Sequence, residues 1–197
     1  AKGRSVILFN AILDAEHRFL KMFAGDYIEA HHEACKFVDE VYGVKIPAQA
    51  DITIASCGGY PKDINVYQMQ KTMDNAVLAT KQGGVVILLA DCEEGSGSKV
   101  LEETCRTLKT ADAIEAKLRD RFLIGANKAY AITRLTKKAH FILVTGLDRQ
   151  LAKDMLFDGA VDTVEEALEL AKQYVGDDVH YILMPTGSLT VPLYRPE

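Results

Sequence analysis

The sequence predicts an open, mainly parallel α/β sheet with helices on both faces, Rossmann-like, preceded by an N-terminal β-hairpin and a helix. Two observations carry that expectation. Residues 52–55, 85–90, 141–145 and 181–184 are short continuous apolar runs, the pattern of strands buried on both faces of a parallel sheet. Between them lie stretches with helical periodicity and capping residues, and that alternation is the signature of layered α/β architecture. We read residues 1–197 as a single α/β domain, with hairpin and helix over 1–46 and the Rossmann-like core over 47–197.

Taken in order, residues 6–14 and 18–23 are apolar and β-prone, and Ala15-Glu16-His17 between them predicts an antiparallel hairpin. Asp26 with Glu29 three residues on is an N-terminal capping pattern. It opens a helix towards Gly43 with Ala30, Ala34, Phe37 and Val41 on one face. Further helices are expected at about 62–82, 98–108, 111–121, 148–155 and 163–175. The last begins on the capping box Thr163/Glu166 and stops at Gly176.

Composition narrows the function classes. A formal net charge of −5, with basic residues scattered among acids, offers no attraction to nucleic acid or anionic lipid. No apolar run approaches the roughly 20 residues that span a bilayer. The four cysteines lack close-pair metal spacing and read as reduced thiols of a cytoplasmic protein.

Ligands of open α/β sheets gather at the carboxyl ends of the strands. Four glycine-bearing segments follow the predicted strands there: 56–61, 91–98, 146–148 and 185–188. The first leads into a helix whose residues Val66, Met69, Met73, Ala76 and Thr80 share a sheet-facing stripe. Ile64, Gln68, Lys71 and Asn75 fall on the opposite side, so Gln68 and Lys71 project together. An amide beside an ammonium can hold a small carboxylate. The same stripe also reads as an ordinary solvated face with Lys71 paired to Asp74. Gly58 and Gly59 are candidates to cradle a cofactor phosphate, although the dinucleotide and P-loop spacings are missing. The i, i+4 pair His31 and Cys35 reads as helix packing, and the acidic loop Asp91, Glu93 and Glu94 as solvated.

The string Ala50-Asp51-Ile52-Thr53-Ile54-Ala55-Ser56-Cys57-Gly58-Gly59-Tyr60-Pro61-Lys62-Asp63, followed by Tyr67-Gln68-Met69-Gln70-Lys71, closely resembles the signature of the nickel-pincer lactate racemase family, in its C-terminal domain. Phe23-Ala24-Gly25-Asp26, Ala30-His31, Lys81-Gln82-Gly83-Gly84 and Glu94-Gly95 resemble it too. The resemblance implies a two-domain racemase or epimerase of 2-hydroxy acids, with a nickel-pincer pyridinium mononucleotide held mainly by an N-terminal domain. That domain carries the cofactor lysine, the metal-ligating histidine and the acid/base histidines. No catalytic residue and no metal ligand are therefore expected in this chain, which would be inactive alone. Lys71 matches the family's carboxylate-holding lysine, Gln68 its neighbouring glutamine, and Tyr67 lies beside both.

One departure concerns substrate. Lactate-specific members use a tryptophan in this domain, whereas this chain has none; the corresponding region is 125–130, where Lys128 reads equally as a second cation, making a larger or more acidic hydroxy acid possible, or as a surface lysine at a helix start. The expected partners are the protein's own N-terminal catalytic domain and a small 2-hydroxy acid, with no nucleic acid and no membrane. Two readings from other classes stand beside this one: a stand-alone nucleotide- or phosphate-binding module, and a purely structural partner domain.

Overall fold

Residues 5–14 and 16–195 are described by a computed structural model of the chain. The chain divides into two compact units, the first ending at Val44 and the second beginning at Lys45.

In the first unit, β1 (Ile7–Leu13) and β2 (Phe19–Asp26) pair antiparallel, with Ile7 opposite Asp26. The predicted turn includes Ala15, which lies outside the described residues. Helix α1 (Tyr27–Tyr42) starts where the Asp26 carboxylate accepts from the N–H groups of Ile28 and Glu29, satisfying two of the helix's otherwise unpaired donors. Ala30 and Ala34 are buried as the periodicity predicted, while Val41 is exposed. Ile7 and Phe9 are 78% and 69% exposed, an apolar surface left bare on the hairpin. Strand β3 (Gly43–Lys45) follows.

In the second unit, five parallel strands lie in the order β7-β6-β5-β4-β8. They are β4 (Ala50–Ser56), β5 (Thr80–Leu89), β6 (His140–Val144), β7 (Gly159–Val161) and β8 (Tyr181–Met184). Side chains alternate across the sheet. Ala55, Val86, Leu88, Phe141 and Leu143 face a core built with helices α2 (Val66–Ala79), α3 (Lys99–Leu108), α4 (Ala111–Asp120), α5 (Ala126–Leu135) and α6 (Arg149–Asp154). Ile52, Val85, Ile87 and Ile142 face the other way, onto Ala167 and Ala171 of α7 (Val164–Val175). The four apolar runs are thus the four longest parallel strands, with helices on both faces.

The capping box at Thr163 and the stop at Gly176 form as the sequence predicted. Helix α2 begins later than expected, because Pro61 lies in a turn in which Lys62 N donates to Gly59 O. Asn65 instead caps the helix, its Oδ1 accepting from Gln68 N at 3.0 Å. The sequence marked helix α5 only as a helix start near Lys128, and the short strands β3, β7 and β9 (Val191–Leu193) not at all.

Candidate functional site

The four predicted loops meet at the carboxyl rim of the sheet and lock one another in place. Gly187 N donates to Ser56 O at 2.9 Å, Cys92 N to Asp63 O at 2.9 Å, and Glu94 N to Ile64 O at 2.9 Å. Thr145 Oγ1 donates to Asp91 O at 2.9 Å. Asn75 Nδ2 reaches across to Gly187 O at 2.8 Å, tying α2 to the last of these loops.

The start of α2 is therefore held at this rim, and its free amide groups are already used. Val66 N donates to Gly95 O and Tyr67 N to Ser96 O, and Gln68 N takes the Asn65 side chain. A phosphate docking on a helix N-terminus needs such groups free. Gly58 N is engaged as well, by Ser56 Oγ at 3.0 Å. Gly58 and Gly59 both have positive φ, +89° and +74°, so these glycines shape the strand-to-helix turn.

Gln68 and Lys71 do lie side by side. Lys71 Nζ donates to Gln68 Oε1 at 2.7 Å, on an exposed part of the helix. That contact leaves the Gln68 NH2 and the remaining Lys71 N–H donors without a further partner among the described residues, a set of donors suited to a carboxylate. Lys71 does not pair with Asp74. The Asp74 carboxylate instead accepts from Gln70 Nε2 at 2.5 Å.

Lys128, in the first turn of α5, approaches the same helix from the flank. Its Nζ donates to Gln70 Oε1 at 2.6 Å and sits 5.0 Å from the centre of the Tyr67 ring. Burial first, and then the neighbouring Lys71 charge, hold its pKa below the ordinary 10.5, with Asp74 acting in the opposite sense. Tyr67, Gln68, Lys71 and Lys128 thus form one polar patch. Gln70, 2% exposed, joins it as a residue that the sequence did not single out.

Glu94 accepts from Asn65 Nδ2 at 3.0 Å, bracing the α2 cap. Cys35 Sγ lies 3.6 Å from His31 Nε2 on α1. Among the described residues no group of three or more His, Cys, Asp or Glu side chains is placed to hold a metal ion, so the side chains at this rim do not fit a nickel centre. No helix among them is long and apolar enough to cross a membrane. A concavity of about 290 Å³ lies at the opposite, amino end of the strands, lined by Leu78, Gln82, Lys138 and Tyr194 among others, and includes neither Gln68 nor Lys71.

The second unit is thus an open parallel α/β sheet of the Rossmann-like class, with an exposed amide–ammonium pair at its carboxyl rim. The chain belongs to the family described as the lactate racemase C-terminal domain, whose model matches residues 45–191. That match begins where the second unit begins.

The lactate racemase of Thermoanaerobacterium thermosaccharolyticum is 32% identical over 191 residues, covering 94% of this chain and 44% of that protein. The lactate racemase of Lactiplantibacillus plantarum is 31% identical over the same length, with the same shares. The chain therefore spans less than half the length of these curated relatives. The structure of the T. thermosaccharolyticum lactate racemase apoprotein superposes with a TM-score of 0.82 at 31% identity, covering 95% of this chain and 46% of that one. A Thermotoga maritima protein of solved structure matches at 12% identity with a TM-score of 0.62, over 94% of this chain and 48% of that chain; at that identity only the fold is shared.

Proposed function

We propose that this chain is the substrate-holding part of a 2-hydroxy-acid racemase or epimerase, working at a cleft that the protein's own N-terminal domain completes. The observation that carries the reading is the contact of Lys71 Nζ with Gln68 Oε1 at 2.7 Å on the outward side of α2. An exposed ammonium and a primary amide, held together at the ligand-binding rim, can take the two oxygens of one carboxylate. The ammonium supplies charge and the amide N–H supplies direction. Gripping the carboxylate fixes the substrate's C2 relative to the acid/base groups of the other domain. Tyr67 forms the adjoining wall.

The nickel-pincer pyridinium mononucleotide of the family would supply hydride chemistry when bound, and in this reading the N-terminal domain holds most of it. The chain alone is then inactive. The occupied amides at the start of α2 and at Gly58 argue against a stand-alone phosphate-binding module.

The test is racemisation of 2-hydroxy acids by the full-length protein, matured with its cofactor, before and after Lys71→Ala. Loss of a cation from a desolvated carboxylate should reduce kcat/KM by about 2–5 kcal/mol of transition-state binding. Undiminished activity in the variant would overturn the role given to Lys71.

A further inference from the structure

The polar patch on α2 is wider than one carboxylate requires, and its charge is lopsided. Around the helix, Gln68 lies on one flank of Lys71 and Tyr67 on the other, since residues three and four apart are surface neighbours. Lys128 Nζ sits over the Tyr67 ring and on Gln70, so its ammonium extends the Tyr67 flank. The sequence Gln68, Lys71, Lys128 is therefore an arc of donors with two ammonium groups in it.

Neither ammonium is neutralised by a direct partner. The lysines that form ion pairs among the described residues are Lys36, Lys81, Lys137 and Lys172. Lys71 and Lys128 each bond to a neutral glutamine amide instead. Asp74 is held by the Gln70 amide, one helical turn beyond Gln70 and about two beyond Tyr67. Lys128 is half-buried and Lys71 exposed; the depression of the Lys128 pKa reflects burial first and then repulsion by the Lys71 charge. Such an arrangement lowers stability and is relieved when an anion bridges the two groups.

Resting on the racemase reading above, we infer that the substrate is a 2-hydroxy acid bearing a second anionic group, with the C1 carboxylate on Gln68 and Lys71 and the second group on Lys128 across the face of Tyr67. A monocarboxylate occupies only the first half of the arc and leaves the Lys128 ammonium without an anionic partner. The contact of Lys128 with Gln70, itself fixed by Asp74, holds the second cation in place before substrate arrives, which limits the ordering needed on binding.

The experiment uses the full-length, cofactor-loaded protein with malate and lactate as probes, in the wild type and in Lys128→Met and Lys71→Ala. The inference requires kcat/KM for malate to exceed that for lactate by tenfold or more. It also requires Lys128→Met to shrink that ratio at least tenfold, chiefly through KM, and Lys71→Ala to depress both substrates. Calorimetric titration of the folded apoprotein provides a readout independent of turnover: malate should bind more tightly than lactate, and Lys128→Met should remove the difference. Turnover of lactate in preference to malate, or a ratio indifferent to Lys128, overturns the inference and leaves the racemase reading standing. Turnover of neither acid, with no binding of either, overturns both.

Discussion

Lys128 Nζ on α5 donates to Gln70 Oε1 on α2 at 2.6 Å, and the other end of the same amide donates to Asp74 at 2.5 Å. A buried glutamine thus relays a lysine to a carboxylate and couples the two helices that frame the candidate site. Removing the lysine leaves a 2% exposed amide oxygen with no donor. Lys128→Met should therefore destabilise the chain by about 1–3 kcal/mol, the penalty of a buried unsatisfied acceptor. Adding Gln70→Leu should recover part of that loss, and a double-mutant cycle by urea denaturation measures the coupling. A cycle with no coupling would mean that the relay contributes nothing to stability.

The thiols separate by position. Burial pushes Cys57 up to about 11, and Cys92 and Cys105 up to about 12. Cys35 is exposed, and all four cysteines are free. Since the thiolate is the reactive form, one thiol should label rapidly in the native chain near pH 8 and all four in denaturant. Mass spectrometry of the iodoacetamide-treated chain identifies the site; fast native labelling at Cys57 would contradict its burial.

The parallel sheet was readable because runs such as 85–90 are apolar at every position, which only a strand covered on both faces tolerates. The outward setting of Gln68 and Lys71 was readable from their spacing against Met69 and Met73, both fully buried. Helix α5 was not. It starts at Gly125 with φ +98° and no side-chain cap, so the usual helix-start signature is missing. Without α5 there was no reason to bury Gln70, which reads as a surface residue until another helix packs on its flank. The three-residue strand β7 is an edge element fixed by pairing with β6, a non-local cause that leaves no local pattern.

Asp51 joins three strands at the amino end of the sheet. Its carboxylate accepts from Lys81 Nζ at 2.7 Å and from His180 N at 2.9 Å. The Lys81 hydrogen bond, and then the His180 amide, hold its pKa below the ordinary 3.8. A carboxyl whose folded pKa is depressed stabilises the fold above the unfolded pKa, and that contribution disappears as pH falls through the folded value. Asp51→Asn should thus be less stable than wild type at pH 7, and the gap should close as pH falls below the ordinary 3.8 and through the folded value. Lys81 is half exposed, so water screens the pair and the gap at pH 7 should be no more than about 1 kcal/mol. Denaturant midpoints at neutral pH and in acid decide the matter; a gap that persists in acid would assign the effect to packing rather than charge.

Gly97 and Asn65 meet so closely that no side chain fits between them. A Cβ on Gly97 would lie 2.4 Å from Asn65 Cγ, and the residue has φ +70°. Asn65 cannot easily move away, being buried and bonded to both Glu94 and the Gln68 amide. Gly97→Ala should therefore combine left-handed backbone strain with partial loss of the α2 cap, about 2–3 kcal/mol in all. Gly176→Ala provides the comparison, because Gly176 also has positive φ, +78°, but has nothing within 4 Å of the added carbon. That substitution bears backbone strain alone, about 1–3 kcal/mol, since φ +78° with ψ −163° is a conformation essentially reserved for glycine. Urea denaturation measures both losses, and the resonances of α2 separate the cap from the backbone strain. The Gly97 variant, and not the Gly176 variant, should also shift the amide resonances of Tyr67, Gln68 and Lys71, since the cap sets where α2 begins and hence where its polar patch points. Undisturbed α2 resonances in the Gly97 variant would show that the contact with Asn65 relaxes freely and that the cap does not position the site.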